Sequence, residues 1–380
     1  MEAFEFYIPT KIYFGENCYQ KALAKERNLL SKRIFVVTTG RSLYRLGYLP
    51  ELLNNLKELS GQEALVWDEV SANPKLQEVE AAIAYGRGNR AELIIGFGGG
   101  SALDAAKAVA AGIGMGVSAE TLLLGNIAPT EKTLPMIAIP TTAGTGSELS
   151  RGAIISSPEH GIKKGIRGEH IAPRVAIVDP YFTYQIPYRV TMETGFDVLA
   201  HAIESYVSKK ATLFSEMISR QCIKMAGRAL QDLCVSLEDK KARASISYAS
   251  MLAGINLANV GNALPHRLQY PVGAATDTSH AAGLLALYPA WLRHEYDYVP
   301  EKINRVINLL TGKEVHAKEE AMQAFGGYIA RLGVRKSLQE LGISPGQEKA
   351  LAQRVTGNIE SDRASKEKDI MEKIYHEAMI

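Results

Sequence analysis

The chain has 380 residues, 46% of them hydrophobic and 22% charged, enough for two domains with large cores. Its formal net charge is +2, with lysine and arginine spread along the chain, which argues against nucleic acid or an anionic membrane as partner. Cys18, Cys222 and Cys234 fall in no paired motif, MEAFEFYIPT lacks the regions of a signal peptide, and no apolar window reaches membrane-spanning length. A cytoplasmic protein without a disulfide framework is expected.

In chain order, RIFVVT (Arg33 to Thr38) reads as a strand, followed by a turn and a helix through Leu49 to Leu59. Ala64 to Trp67 is a short strand, Leu76 to Gly86 a helix, and LIIGF (Leu93 to Phe97) a buried strand. Met136 to Ile139 and Val175 to Val178 add two more. Strands alternating with helices predict a parallel sheet with crossover helices. From about Pro187 long helical patterns take over, through Ser215 to Cys234, Ala242 to Ala258 and Ala281 to Leu292, with a terminal helix over Glu367 to Met379. The boundary is expected within residues 179–187, giving an α/β domain over 1–183 and an all-helical domain over 184–380.

Three stretches carry chemistry. After LIIGF come Gly98, Gly99, Gly100 and Ser101, opening the helical ALDAAKAVAAG. Glycines at a strand-to-helix turn let backbone amides approach an anion, and a helix start favours one. Ser101 and Asp104 also have capping-box spacing, and Lys107 stands one turn on, placed to pair with Asp104 at the surface. The second stretch is PTTAGTGSELS, residues 140–150, whose density of small hydroxyl residues suits neither a core nor an ordinary loop. In the third, GFDVLAHAIESY puts Asp197 and His201 four apart on one helix face, and His266 and His280 follow later. One carboxylate and three imidazoles suit a divalent transition metal such as iron or zinc. His160, His170, His294, His316 and His376 read as surface or structural residues.

Together these pieces resemble the iron-containing (group III) alcohol dehydrogenase family. The matching segments are Asn73-Pro74, GFGGGSALDAAKAVA, PTTAGTGSE, VDP at Val178 to Pro180, GFDVLAHAIESYVS and the two later histidine segments, in family order over nearly the whole chain. The resemblance implies a dinucleotide-binding α/β domain followed by an all-α domain, the dehydroquinate-synthase-like architecture, with the active site in the cleft between them. It implies Asp197, His201, His266 and His280 as ligands of Fe2+, or of Zn2+. It implies that Gly98, Gly99, Gly100, Ser101 and Asp104 form the pyrophosphate turn, that Asn73, Thr141, Thr142, Thr145 and Ser147 line the cofactor, and that Lys163 (or Lys164) reaches it. The reaction implied is metal-assisted hydride transfer between NAD or NADP and a short-chain aldehyde or primary alcohol. A homodimer is expected, with KIYFG as a strand able to pair across a two-fold axis.

The chain also departs from the family pattern. Where many members carry a second histidine four residues after the third ligand, Tyr270 stands here, so a histidine relay at that place is not expected. Arg267 and Gln269 occupy positions where small residues are common in the family. With Arg151 directly after the threonine loop, Arg267 points to an anionic aldehyde carrying a sulfonate, phosphonate or carboxylate. After the first strand, TTGRS places Gly40 where NAD-preferring members carry an aspartate, which predicts that NADP is accepted at least as well as NAD. Two other readings compete: an NAD- and metal-dependent lyase of the dehydroquinate-synthase type, whose ligand set FDVLAHAIE does not match, and a dinucleotide- and metal-binding sensor without turnover.

Overall fold

The structure is a computed structural model that describes residues 3–125 and 127–380. The chain divides into two compact units, Tyr7–Ile186 and Pro187–Ile380, the second also taking in the chain up to Phe6. That assignment of the first residues has no signature in the sequence. It comes from aromatic packing, with Phe6 edge-on to Phe214 at a centroid distance of 4.6 Å.

The first unit is built on a parallel sheet. Its strands are β1 (Lys11–Phe14), β2 (Ile34–Thr38), β3 (Leu65–Trp67), β4 (Leu93–Gly98), β5 (Met136–Pro140) and β8 (Val175–Val178). Their order is β1-β8-β5-β4-β2-β3, parallel throughout. The runs IFVVT and LIIGFG are buried at every residue, as strands covered on both faces must be. Alternate side chains serve opposite faces. Phe35, Val37 and Ile94 join the core under helices Leu76–Gly88 and Gly100–Met115, while Ile34, Val36, Leu93 and Ile95 join the core under helix Tyr48–Ser60.

After β2 the chain moves outward to β3, then returns to lay β4 on the other side of β2. The carboxyl ends of β2 and β4 therefore flank the point where strand order reverses, the place where open α/β sheets bind ligands. Gly40 follows one of these strands and the glycine turn ends the other.

One element was not anticipated. Ala153 to Ile155, read only as an apolar cluster, belongs to β6 (Gly152–Ser157), which pairs antiparallel with β7 (Ile162–Arg167) as a separate hairpin. Its strands are short, with Gly165 and two lysines interrupting β7, so no run of alternating apolar residues marked them. The hairpin docks through its first strand, where Ser156 N donates to Pro74 O at 2.8 Å.

The second unit has no strand among its described residues. Its central helix, Tyr188–Val207, is buried at every position from Gly195 to Val207, as a helix surrounded by others requires. Leu213–Val235, Lys240–Asn259, Leu264–Thr276 and His280–Tyr296 follow it in the chain. The terminal helix spans Ile370–Glu377, shorter than expected, because Glu367 is extended and Asp369 has a left-handed backbone just before it. No helix among the described residues is long and apolar enough to cross a membrane.

Candidate active site

The glycine turn and the threonine loop meet because β4 and β5 are neighbours in register, with Gly98 opposite Pro140. Thr141 N donates to Gly98 O at 2.9 Å, continuing the ladder into the loop. A Cβ on Gly100 would lie 2.6–3.0 Å from three Thr145 side-chain atoms, and one on Gly99 would lie 3.2 Å from Thr142 Oγ1. The glycines thus admit the threonines as well as any ligand. The loop wraps first around the protein's own turn, and this close packing fixes where the first amides of helix Gly100–Met115 point.

A buried network locks that arrangement. Asp104 accepts from Ser147 Oγ through one oxygen and from Ile154 N at 2.8 Å through the other. Lys107 donates at 2.8 Å to Ser147 Oγ, Ser150 Oγ and Gly152 O, and lies 3.5 Å from Asp104. Lys107 is therefore Asp104's partner, but at zero exposure and not at the surface as the spacing had suggested. The capping box does not form either. Gly99 is the N-cap, Asp104 is engaged with the loop, and Ser101 Oγ donates to the Ala72 carbonyl. Glu148 is buried beside this network, and burial pushes its carboxyl up to about 7, against the pull of Lys107.

Asn73 and Lys163, 90 residues apart, are brought together by the hairpin: Lys163 Nζ donates to Asn73 Oδ1 at 2.9 Å. Gly40 has a left-handed backbone (φ 43°), its N–H donates to Asp68 O at 2.8 Å, and the space its Cβ would take is open. Pairing of β2 with β3 lays exposed Asp68 and Glu69 beside this turn, carboxylates that its own sequence lacks. Arg151 is half-buried between the threonine loop and β6, its carbonyl accepting from Gly168 N. Asp179 of VDP is structural, its carboxylate accepting from the amides of Asn17, Tyr19 and Tyr181.

In the helical unit, Asp197 and His201 project from the central helix toward His266, and one donor atom from each of the three lies within 4.8 Å of the others. Asp197 Oδ1 is 3.6 Å from His201 Nδ1, 3.4 Å from His266 Nε2 and 3.9 Å from His280 Nε2. Asp197 Oδ1 and His266 Nε2 are buried atoms with no hydrogen-bond partner. Native cores rarely tolerate such orphans, and two facing each other between imidazoles are what a divalent cation satisfies. Burial alone would raise the Asp197 carboxyl, yet His201, His266 and His280 hold it well below the ordinary carboxylate range. Burial alone would lower the His266 imidazole, and Glu204 and Asp197 on either side raise it to about 10.

Comparison with known proteins gives the family. Residues 9–180 match the model of iron-containing alcohol dehydrogenases, and residues 191–379 match that of the C-terminal part of the same family. The chain belongs to the iron-containing alcohol dehydrogenase family. It is 32% identical to long-chain-alcohol dehydrogenase 1 of Geobacillus thermodenitrificans, over 88% of this chain and 86% of that one. It is 28% identical to a sulfoacetaldehyde reductase of Bilophila wadsworthia, over 90% and 89%. The NADH-dependent butanol dehydrogenase A of Thermotoga maritima superposes with a TM-score of 0.89 at 26% identity, covering 100% of this chain and 99% of that one. The protein is thus an alcohol dehydrogenase, an oxidoreductase acting on alcohols and aldehydes.

Around the enzyme's four candidate ligands stands a shell that sequence reasoning missed. Glu204 Oε1 lies 2.7 Å from His266 Nδ1, while Oε2 accepts from Ala263 N at 2.6 Å. The spacing of Asp197, His201 and Glu204 (i, i+4, i+7) marks one helix face and was the available signal. Gln269 Oε1 meets His280 Nδ1. The helix carrying His266 is tied down by Asp362, which accepts from Leu264 N and Trp291 Nε1, and by Tyr375, whose hydroxyl donates to Leu268 O at 2.7 Å. No spacing rule links Asp362 or Tyr375 to the site. Tyr270 is buried with its ring 6.2 Å from that of His280, and the Arg267 guanidinium lies 5.8 Å from the Tyr270 ring centroid, against Gly357. Arg267 has no carboxylate partner among the described residues, and its Nε is buried without a hydrogen bond.

Proposed function

We propose that the enzyme interconverts short-chain aldehydes and primary alcohols with a nicotinamide dinucleotide, at a divalent metal, iron by family, held by Asp197, His201, His266 and His280. The observation that carries this is the pair of buried atoms without a hydrogen bond, Asp197 Oδ1 and His266 Nε2, facing one another beside His201, with His280 Nε2 3.9 Å from the same oxygen. When bound, the cation polarises the substrate oxygen, and the dinucleotide gives or takes the hydride. The chain's own residues prepare the site. Asp197 supplies the negative charge, and Glu204 holds one proton of His266 at Nδ1, so that Nε2 is the nitrogen that would give up its proton to meet the cation. The packed glycine turn and threonine loop fix the amides that would receive the pyrophosphate, and Asn73 orients Lys163. Gly40 leaves room for a 2′-phosphate, so NADP serves beside NAD, with Asp68 and Glu69 as the acids opposing it.

The substrate we infer is an anionic short aldehyde. Arg267, without a carboxylate partner and in contact with Tyr270 beside His280, is the observation that favours it, and the likeness to a sulfoacetaldehyde reductase supports it. The test is kcat/KM for an anionic C2 aldehyde against acetaldehyde, with NADH or NADPH, in wild type and Arg267→Ala. Loss of one charge-assisted contact costs about 1.5–3 kcal/mol, roughly tenfold or more, and only for the charged substrate. Equal losses for both aldehydes would remove the anion site and leave general short-chain aldehyde reduction. Absence of alcohol product would return the lyase and the sensor.

A further inference from the structure

The imidazoles of His266 and His280 are both held through Nδ1, but by unlike groups: the Glu204 carboxylate for one and the neutral Gln269 amide for the other. We propose that Gln269 is a positioning residue that fixes the tautomer of His280 and thereby sets how tightly the site grips its metal. This rests on the reading of Asp197, His201, His266 and His280 as ligands.

A neutral imidazole carries one N–H, and its position decides whether Nε2 ligates or donates. With Gln269 Oε1 accepting, the proton stays on Nδ1 and Nε2 turns its lone pair toward Asp197 Oδ1, 3.9 Å away. With the amide reversed, its NH2 would face Nδ1, the proton would move to Nε2, and His280 would donate to Asp197 instead of ligating. The amide's orientation is thus the choice between a ligand and a bystander.

Packing holds the side chain against His280. Gln269 is fully buried, and Gly283 is bare beneath it: a Cβ there would lie 2.8 Å from Gln269 Cγ and 3.1 Å from Nε2. Gln269 Nε2 has no hydrogen-bond partner. A buried amide with an unused NH2 is a standing cost, and the contact from its other end to His280 is what offsets it.

His280 is also the ligand most in need of such help. It is the farthest from Asp197 Oδ1, its side chain is 26% exposed against 5% or less for the other three, and it is the first residue of its helix. The set reads as three enclosed ligands plus one steered by Gln269.

The test measures Zn2+ affinity of metal-stripped protein by competition with a chromophoric chelator. The proteins are wild type, Gln269→Leu and Gln269→Met (near-equal volume, no amide acceptor), Gln269→Glu (same shape, anionic acceptor), His266→Ala, His280→Ala and the Gln269→Leu/His280→Ala pair. Loss of an outer partner of a ligating histidine typically lowers affinity about 10- to 100-fold, which is expected for Leu and Met, with Glu restoring wild-type affinity or better. In the His280→Ala background Gln269→Leu should change nothing further, a coupling that general loosening of the core would not produce. Wild-type affinity in both Leu and Met variants, or equal losses with and without His280, would overturn the proposal while leaving the ligand set intact. Wild-type affinity in His266→Ala would overturn the ligand reading itself, and this proposal with it.

Discussion

Each unit of the enzyme holds a buried polar cluster assembled from distant parts of the chain, and the two clusters differ in one respect. In the α/β unit, Asp104, Lys107 and Ser147 spend every buried donor and acceptor on one another, on Ser150 and on the backbone of residues 152 and 154. In the helical unit, Asp197 and His266 keep inward-facing atoms without a hydrogen-bond partner, although Glu204 occupies the outer face of the imidazole. A network that closes on itself is scaffold, rigid because nothing is left to bind. One that is closed outside and open inside is a socket. The family motifs run through both, so motif membership alone does not separate support from chemistry.

The largest effect belongs to the socket. Asp197→Ala and His266→Ala should each lower turnover by more than about 100-fold, beyond what outer partners of a metal site are worth. Dinucleotide binding, followed by fluorescence titration, should remain near wild type. Stripping the metal from wild type should do the same and be reversed by adding Fe2+. Full activity in metal-free protein would show that the open cluster is not a metal socket.

Lys107→Met tests the scaffold. It leaves half-buried Asp104 without its cation and Ser150 Oγ without a donor, while Gly152 O keeps only the bond from Ser150 Oγ, a kind of loss that costs up to about 3–5 kcal/mol. Denaturant unfolding should register it, with Zn2+ affinity unchanged. A stability cost under about 1 kcal/mol, the range of a surface ion pair, would mean that the network is not a closed brace.

Glu148 gives a smaller effect with a defined sign. Burial raises its folded pKa from 4.5 to about 7, so the folded state holds a proton that the unfolded chain releases. Its contribution is complete below about pH 4.5 and is lost as pH climbs to about 7, at up to about 1.4 kcal/mol per pH unit. Glu148→Gln should therefore gain on wild type across that window and run parallel to it above. Parallel profiles throughout would show Glu148 to be solvated.

Gly40→Asp is the mildest. Aspartate tolerates a left-handed backbone, and the Cβ direction is open, so the fold should be unaffected. The ratio of kcat/KM for NADPH over NADH should fall about tenfold, the size of one unfavourable charge contact. An unchanged ratio would mean that Asp68 and Glu69, not the turn, govern the choice.

The sequence by itself determined the elements whose physics is local. Buried apolar runs such as IFVVT made strands, the helical period placed Asp197 and His201 on one face, and consecutive glycines marked a turn that side chains could not occupy. The hairpin of β6 and β7 escaped because its stability lies in cross-strand pairing and docking on Pro74, neither of which leaves a periodic trace in six residues. Only the tertiary structure decided the rest. Lys107 looked like a surface partner because spacing along a helix says nothing about what covers that face; here the threonine loop does. Glu204, Gln269 and Asp362 support the proposed ligands or their helix across separations of 62, 11 and 98 residues, through contacts made when helices pack. Local propensity depends on neighbours in the chain, but which buried atom is satisfied and which is left open depends on neighbours in space.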